Sequence, residues 1–183
     1  MRFPIVQVCC VGRQRVPIPL EMHRTQVWPN NHVNHVSYGN VLMSMWRQVF
    51  NDVGMLWLEG DIAITPEHLE ELADTQACYP DRIISVPYLL YRKSTQRKIP
   101  MWSNQGRSPL GSPVPYDSDS IPPAEPGFFS LGCTYLPKML LDLVALQQGN
   151  WDYPCLDTRL SELAYDNGII CIATETPCLH LHY

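Results

Sequence analysis

The stretch MLWLEGDIAITPEHLEEL, Met55 to Leu72, decides the reading of this chain. It opens on the apolar run Met55–Leu58, meets Glu59-Gly60-Asp61, turns apolar again at Ile62–Ile64 and then starts a helix. Thr65 has the chemistry of an N-cap, Pro66 suits the first helical position, and Glu67 and Glu70 fall in the first turns. An apolar strand that leads through a short turn into a capped helix is a building unit of α/β proteins. Two carboxylates at the end of a buried strand are costly unless a cation or strong donors meet them. Residues i and i+2 of a strand end point to one side, so Glu59 and Asp61 can act together, and Gly60 between them allows close approach. Hard carboxylate oxygens suit Mg²⁺ or Mn²⁺, which often bridge a carboxylate and substrate phosphates. The plain alternative is a solvated acidic turn. The buried run before the acids and the capped helix after them favour a site.

Working outward, IVQVCCV (Ile5–Val11) has the length and β-branched content of a buried strand. Residues 12–39 hold Pro17, Pro19 and Pro29 and read as loop with one short strand. NVLMSMWRQVFNDVG (Asn40–Gly54) places Val41, Met45 and Val49 beside Leu42, Trp46 and Phe50, the i, i+4 pattern of a buried helical face, with Gly54 as a stop. RIISVPYLLYR (Arg82–Arg92) reads as the next strand. Residues 94–126 are rich in Pro, Ser and Gly, which predicts an irregular, flexible loop near the site. Order resumes in GFFSLGCTYLPKMLLDL, whose second half is helical from Pro137 on. CLDTRLSELAYDNG is a further helix ended by Asn167-Gly168, and IICIATETPCLHLHY is a last strand or pair of strands.

Strands alternating with helices predict a single α/β domain over residues 1–183, a Rossmann-like sandwich with a mostly parallel central sheet. In such sheets ligands bind beyond the carboxyl ends of the strands, where Glu59 and Asp61 fall. The length of 183 residues suits one core, and 45% apolar with 17% charged residues is ordinary for a globular chain. A net charge of -5 argues against a general nucleic-acid binder, although Arg92, Lys93, Arg97, Lys98 and Arg107 make a local basic stretch. No apolar run has the length of a membrane span, and the N-terminus reads as a strand rather than a signal peptide. The seven cysteines form no regular framework, so buried, reduced thiols and a cytoplasmic location are expected.

The order Gly39, helix, MLWLEGD, TPEHLEEL within Asn34–Leu72 resembles the middle of a GT-A-fold nucleotide-sugar glycosyltransferase of the inverting family-two type. The resemblance implies that Asp61 holds the metal bound to the donor diphosphate. Glu59 stands at the first acidic position of the Asp-x-Asp motif, where the family usually has Asp. YPCLDTRLSELAYDNG is similar to the family's acidic helix start. There Asp157 matches the general base that deprotonates an acceptor hydroxyl, with Leu156 where the family often has Glu. The bland rival for Asp157 is an N-cap aspartate; Asp152 is the reserve candidate, and Arg159 is placed to pair with either acid. The family often places a His after the last core strand as a metal or diphosphate ligand. His180 and His182 both match, His182 by its distance from Gly168. GFFSLGCTYLPKMLLDL is similar to the family's acceptor-side segment. The N-terminal part is shorter than the family's, with Gly12 and Arg13 at the nucleotide-facing tip of the first strand and Gly39 beyond them.

The resemblance thus implies a metal-dependent glycosyltransferase of hexosyltransferase type. It would use a nucleotide-sugar donor, Mn²⁺ or Mg²⁺, and an acceptor hydroxyl on a carbohydrate or a modified nucleic acid. Two other classes stay open: a non-catalytic nucleotide- or sugar-binding module on the same fold, and a metal-dependent α/β hydrolase built on Glu59, Asp61 and the C-terminal histidines.

Overall fold

The computed structural model describes residues 5–10, 25–30, 53–92, 97–101, 129, 131–146 and 156–180. Met55–Glu59 forms the strand β3, and its neighbours show why an apolar run was needed there. Ile5–Cys10 (β1) pairs parallel with it on one side and Cys133–Leu136 (β8) antiparallel on the other. Met55 and Trp57 enter one apolar cluster and Leu56 and Leu58 the other, so β3 is buried on both faces. The full order is β2-β1-β3-β8-β5-β9, with β2 at Thr25–Asn30, β5 at Ile83–Ser85 and β9 at Cys171–Ala173. The β1–β2 and β5–β9 pairs are parallel, while β8 runs antiparallel to both β3 and β5. The sheet is therefore mixed, with β8 reversed in its middle. Cys133–Leu136 carries little strand signal of its own, because it is only four residues long and leads almost directly into a helix.

A helix at Pro66–Cys78 (α1) covers one face through Leu69 and Leu72, which pack with Leu56, Leu58, Ile84, Cys133 and Tyr135. Helices at Lys138–Leu146 (α2) and Leu156–Asp166 (α3) cover the other through Leu140, Leu141, Val144, Leu160, Leu163 and Ala164. Each fully buried Leu of these clusters contributes about 1.5–3 kcal/mol relative to exposure. Gly168 ends α3 as expected. Its φ of 67° is left-handed, Gly168 N–H bonds to Tyr165 O at 3.1 Å and Ile169 N–H to Ala164 O at 2.9 Å, which closes the helix with a Schellman motif.

A second sheet corrects the expectation of one central sheet. Its order is β4-β10-β6-β7, with β4 at Ile62–Ala63, β6 at Tyr88–Arg92, β7 at Arg97–Met101 and β10 at Cys178–His180. The segment read as one strand, Arg82–Arg92, is split at Val86-Pro87. Val86 N–H still bonds to Cys133 O at 2.9 Å in the first sheet, whereas Pro87 has no N–H and its carbonyl accepts Cys178 N–H at 2.8 Å, opening the second. β7 falls inside residues 94–126, so Arg97–Met101 is a strand paired antiparallel with β6 rather than irregular chain. Its apolar residues are too few to outweigh the surrounding Pro and Ser in a composition reading. The rest of that segment, and the helix expected over Asn40–Asp52, lie outside the described residues. Strands β3, β5 and β9 run in one direction, and each passes at its carboxyl end into a strand of the second sheet.

Candidate metal centre

The first of these passages is Glu59-Gly60-Asp61. Glu59 is the last residue of β3, Gly60 and Asp61 form a turn, and Ile62 opens β4. Glu59 N–H bonds to Gly132 O at 2.8 Å, which fixes the strand end against the entry to β8. β10 lies antiparallel to β4 with His180 opposite Ile62, so the imidazole arrives beside the acidic turn. His180 Nε2 is 3.2 Å from Asp61 Oδ1 and 4.0 Å from Glu59 Oε2. One ligand atom from each of the three residues lies within 4.8 Å of the others. Asp61 is only 7% exposed, His180 is largely covered, and Glu59 opens toward solvent. The Tyr88 ring packs on His180 with centroids 5.1 Å apart, and the same ring lies against Gly132, where a Cβ would come within 2.9 Å of it.

Two carboxylates and an imidazole converging on one point fit a divalent cation. Glu59, Asp61 and His180 were all candidates in the sequence, and the fold brings them together. His182, Gly12, Arg13, Gly39 and Asp152 lie outside the described residues. Asp157 is in the first turn of α3, and its Oδ2 accepts the N–H of Leu131 at 3.2 Å. One turn on, Ser161 Oγ accepts Phe129 N–H at 3.2 Å. Leu131 adjoins Gly132, whose carbonyl holds Glu59, so the α3 start and the acidic turn are joined through a two-residue segment. Arg159 forms an ion pair with Glu162 at 3.5 Å.

Gly132 falls in the stretch similar to an acceptor-side segment, but nothing local marks it or Tyr88 as neighbours of the acidic turn. A glycine beside a cysteine carries no chemical signature, and its value here is the space it leaves for a ring from another strand. Among the described cysteines, Cys133, Cys171 and Cys178 are buried and free, as expected, whereas Cys78 is exposed at the end of α1. Burial pushes the thiols up, Cys178 to about 12, so these groups are neutral and inert.

No family model matches the chain, and no curated protein matches it. Solved structures do. A197 from STIV superposes with a TM-score of 0.55 at 11% identity, covering 93% of this chain and 82% of that one. The CMP:2-keto-3-deoxy-manno-octonic acid synthetase complexed with CTP superposes with a TM-score of 0.50 at 13% identity, covering 97% and 90%. The likeness is one of fold. It extends over nearly the whole chain in both cases, and it places the described sheets and helices among mixed α/β proteins of Rossmann-like architecture. No helix among the described residues is long and apolar enough to cross a membrane.

Proposed function

We propose that this protein is a metal-dependent enzyme of nucleotide-sugar chemistry, and that it transfers the sugar of a nucleotide-sugar donor to an acceptor hydroxyl with inversion. The observation that carries the reading is the Glu59–Asp61–His180 cluster at the carboxyl end of the sheet, where α/β folds bind their ligands. Asp61 and His180 would hold Mn²⁺ or Mg²⁺, with Glu59 as a further oxygen ligand or a contact to the ribose. When bound, such an ion offsets the charge of a departing diphosphate. Asp157 is the residue assigned to the acceptor side. Its bond to Leu131 orients the carboxylate, and its task would be to take the proton of the attacking hydroxyl. Gly12, Arg13 and Gly39 are assigned to the nucleotide, and the part of residues 94–126 beyond β7 to a cover that keeps water from the donor. The acceptor would be a carbohydrate or a modified nucleic acid, and the setting cytoplasmic.

A second reading is favoured by the likeness to a synthetase complexed with CTP: nucleotidyl transfer to a sugar, at the same metal centre. The two differ in the product released, a nucleoside diphosphate in sugar transfer and pyrophosphate in nucleotidyl transfer. The test begins with thermal shift against a panel of nucleoside di- and triphosphates, with and without Mn²⁺, on wild type and Asp61→Ala. A ligand that binds the folded state raises the melting temperature. A Mn²⁺-dependent shift for one base, lost in Asp61→Ala, supports the nucleotide site, and the product analysis then separates the two transfers. Absence of any shift in folded protein removes both. Phosphate release from a phosphoester without any sugar would instead support a hydrolase.

A further inference from the structure

The pair β4–β10 presents Asp61 and His180 to each other, yet it is very short. Its ladder holds only two register pairs, Leu179 with Ala63 and His180 with Ile62. On its other edge β10 pairs parallel with β6, from Cys178 with Tyr88 to His180 with Leu90, so β6 anchors β10 in the sheet while only the two pairs of this ribbon set it against β4. The end away from the acidic turn is closed by α1. His68, in the third position of that helix, accepts Thr65 N–H on Nδ1 at 3.0 Å, and its Nε2 lies 3.2 Å from Pro177 O. With Nδ1 accepting, the proton is on Nε2 and is donated to Pro177. Thr65 follows β4 and Pro177 precedes β10, so one buried imidazole ties the two strands of the ribbon together behind the site. One turn further, the Glu71 carboxylate accepts the N–H groups of Glu175 and Thr176, the bend that leads into Pro177.

We infer that His68 and Glu71 are positioning residues: through Pro177 and the bend at Glu175-Thr176 they hold β10 in the register that puts His180 against Asp61 and Glu59. Neither touches the cluster; they act through the ribbon. The inference rests on the proposed metal centre and adds to it the elements that set its third ligand. A cap that merely started α1 would need no bond to the carbonyl of Pro177 far along the chain, and a surface glutamate would need no pair of backbone donors.

The experiment uses Mn²⁺ alone on the full chain. Affinity is read by titration, and the imidazole nitrogen is read by pulsed electron paramagnetic resonance of the bound ion, which detects coupling to a ligating nitrogen. Asp61→Ala and His180→Ala set the references. Glu71→Ala places the best helix former at a partly exposed helical position, so the fold is expected to persist; His68→Ala is the second variant, and unliganded melting checks both. The expected result is about a tenfold loss of Mn²⁺ affinity in Glu71→Ala and in His68→Ala, in the range found for residues that orient metal ligands. The nitrogen signal weakens toward that of His180→Ala, and Glu71→Gln, whose amide oxygen still accepts, recovers most of both. Wild-type affinity and wild-type nitrogen coupling in the two variants overturn the inference. Equal Mn²⁺ binding by wild type and Asp61→Ala overturns the metal centre instead, so the two failures are told apart.

Discussion

Asp61 and Asp157 are both aspartates at the boundary of an element, and the fold uses them differently. Asp61 lies in the turn between the two sheets and meets a histidine from the far end of the chain at 3.2 Å, with a second carboxylate beside it. Asp157 lies at the start of α3 and accepts a backbone N–H from Leu131, fastening the chain that enters β8. One carboxylate gathers other side chains; the other holds backbone. A carboxylate among converging ligand groups is a candidate for binding chemistry, whereas one that accepts a backbone N–H has a structural task as well as any chemical one.

Asp157→Asn separates those two tasks and carries the largest expected effect. The amide oxygen still accepts the Leu131 N–H, so the melting temperature stays near wild type, while turnover with the donor named by the nucleotide panel falls about 10²–10⁴-fold if the proton is taken there. Unchanged turnover reduces Asp157 to its structural task. Asp61→Ala probes the other side. It removes a direct ligand, so Mn²⁺ affinity by titration falls by more than the roughly 10–100-fold seen when supporting residues are lost. A smaller loss would move the centre away from Asp61.

Gly132→Ala tests the link between the two regions, since Leu131 bonds to Asp157 and Gly132 to Glu59. The added Cβ meets the Tyr88 ring at 2.9 Å and Ile62 at 3.1 Å, both beside the site, and overpacking of this kind costs about 1–3 kcal/mol. Denaturant melts read the cost, and a parallel fall in Mn²⁺ affinity would show that the Tyr88–His180 packing sets the cluster. The smallest effect is on pH. Burial raises the Cys133, Cys171 and Cys178 thiols in the folded state above the ordinary 9.0. Folded protein thus keeps protons that the unfolded chain gives up. The contribution is intact below about pH 9 and is lost as pH rises toward the folded values. Melting temperature should be flat in this respect at neutral pH and fall in the alkaline range, and Cys178→Ala should flatten that fall.

Much of this was legible where the signal is local. The apolar run of β3, the start of α1 after Thr65-Pro66 and the stop at Gly168 all follow from burial pattern or backbone chemistry within a few residues. The acidic turn and the histidines were legible as chemistry. The capping partner of Thr65 was not, because His68 is not the usual Glu or Gln and its other nitrogen donates to the Pro177 carbonyl, far along the chain. β7 was hidden by composition, since its pairing with β6 outweighs the Pro and Ser around it.

Local pattern alone established an α/β chain, an apolar strand that leads into two carboxylates, and imidazoles near the C-terminus. The reversal of β8 against its neighbours, the passage of the chain at Pro87 from one sheet to the other, the meeting of His180 with Asp61 and the hold of Asp157 on Leu131 came from the long-range fold. The reason is physical. Hydrophobic period and caps are written in neighbouring residues, whereas the direction and partner of a strand depend on hydrogen bonds between segments far apart in the chain, which no local pattern encodes.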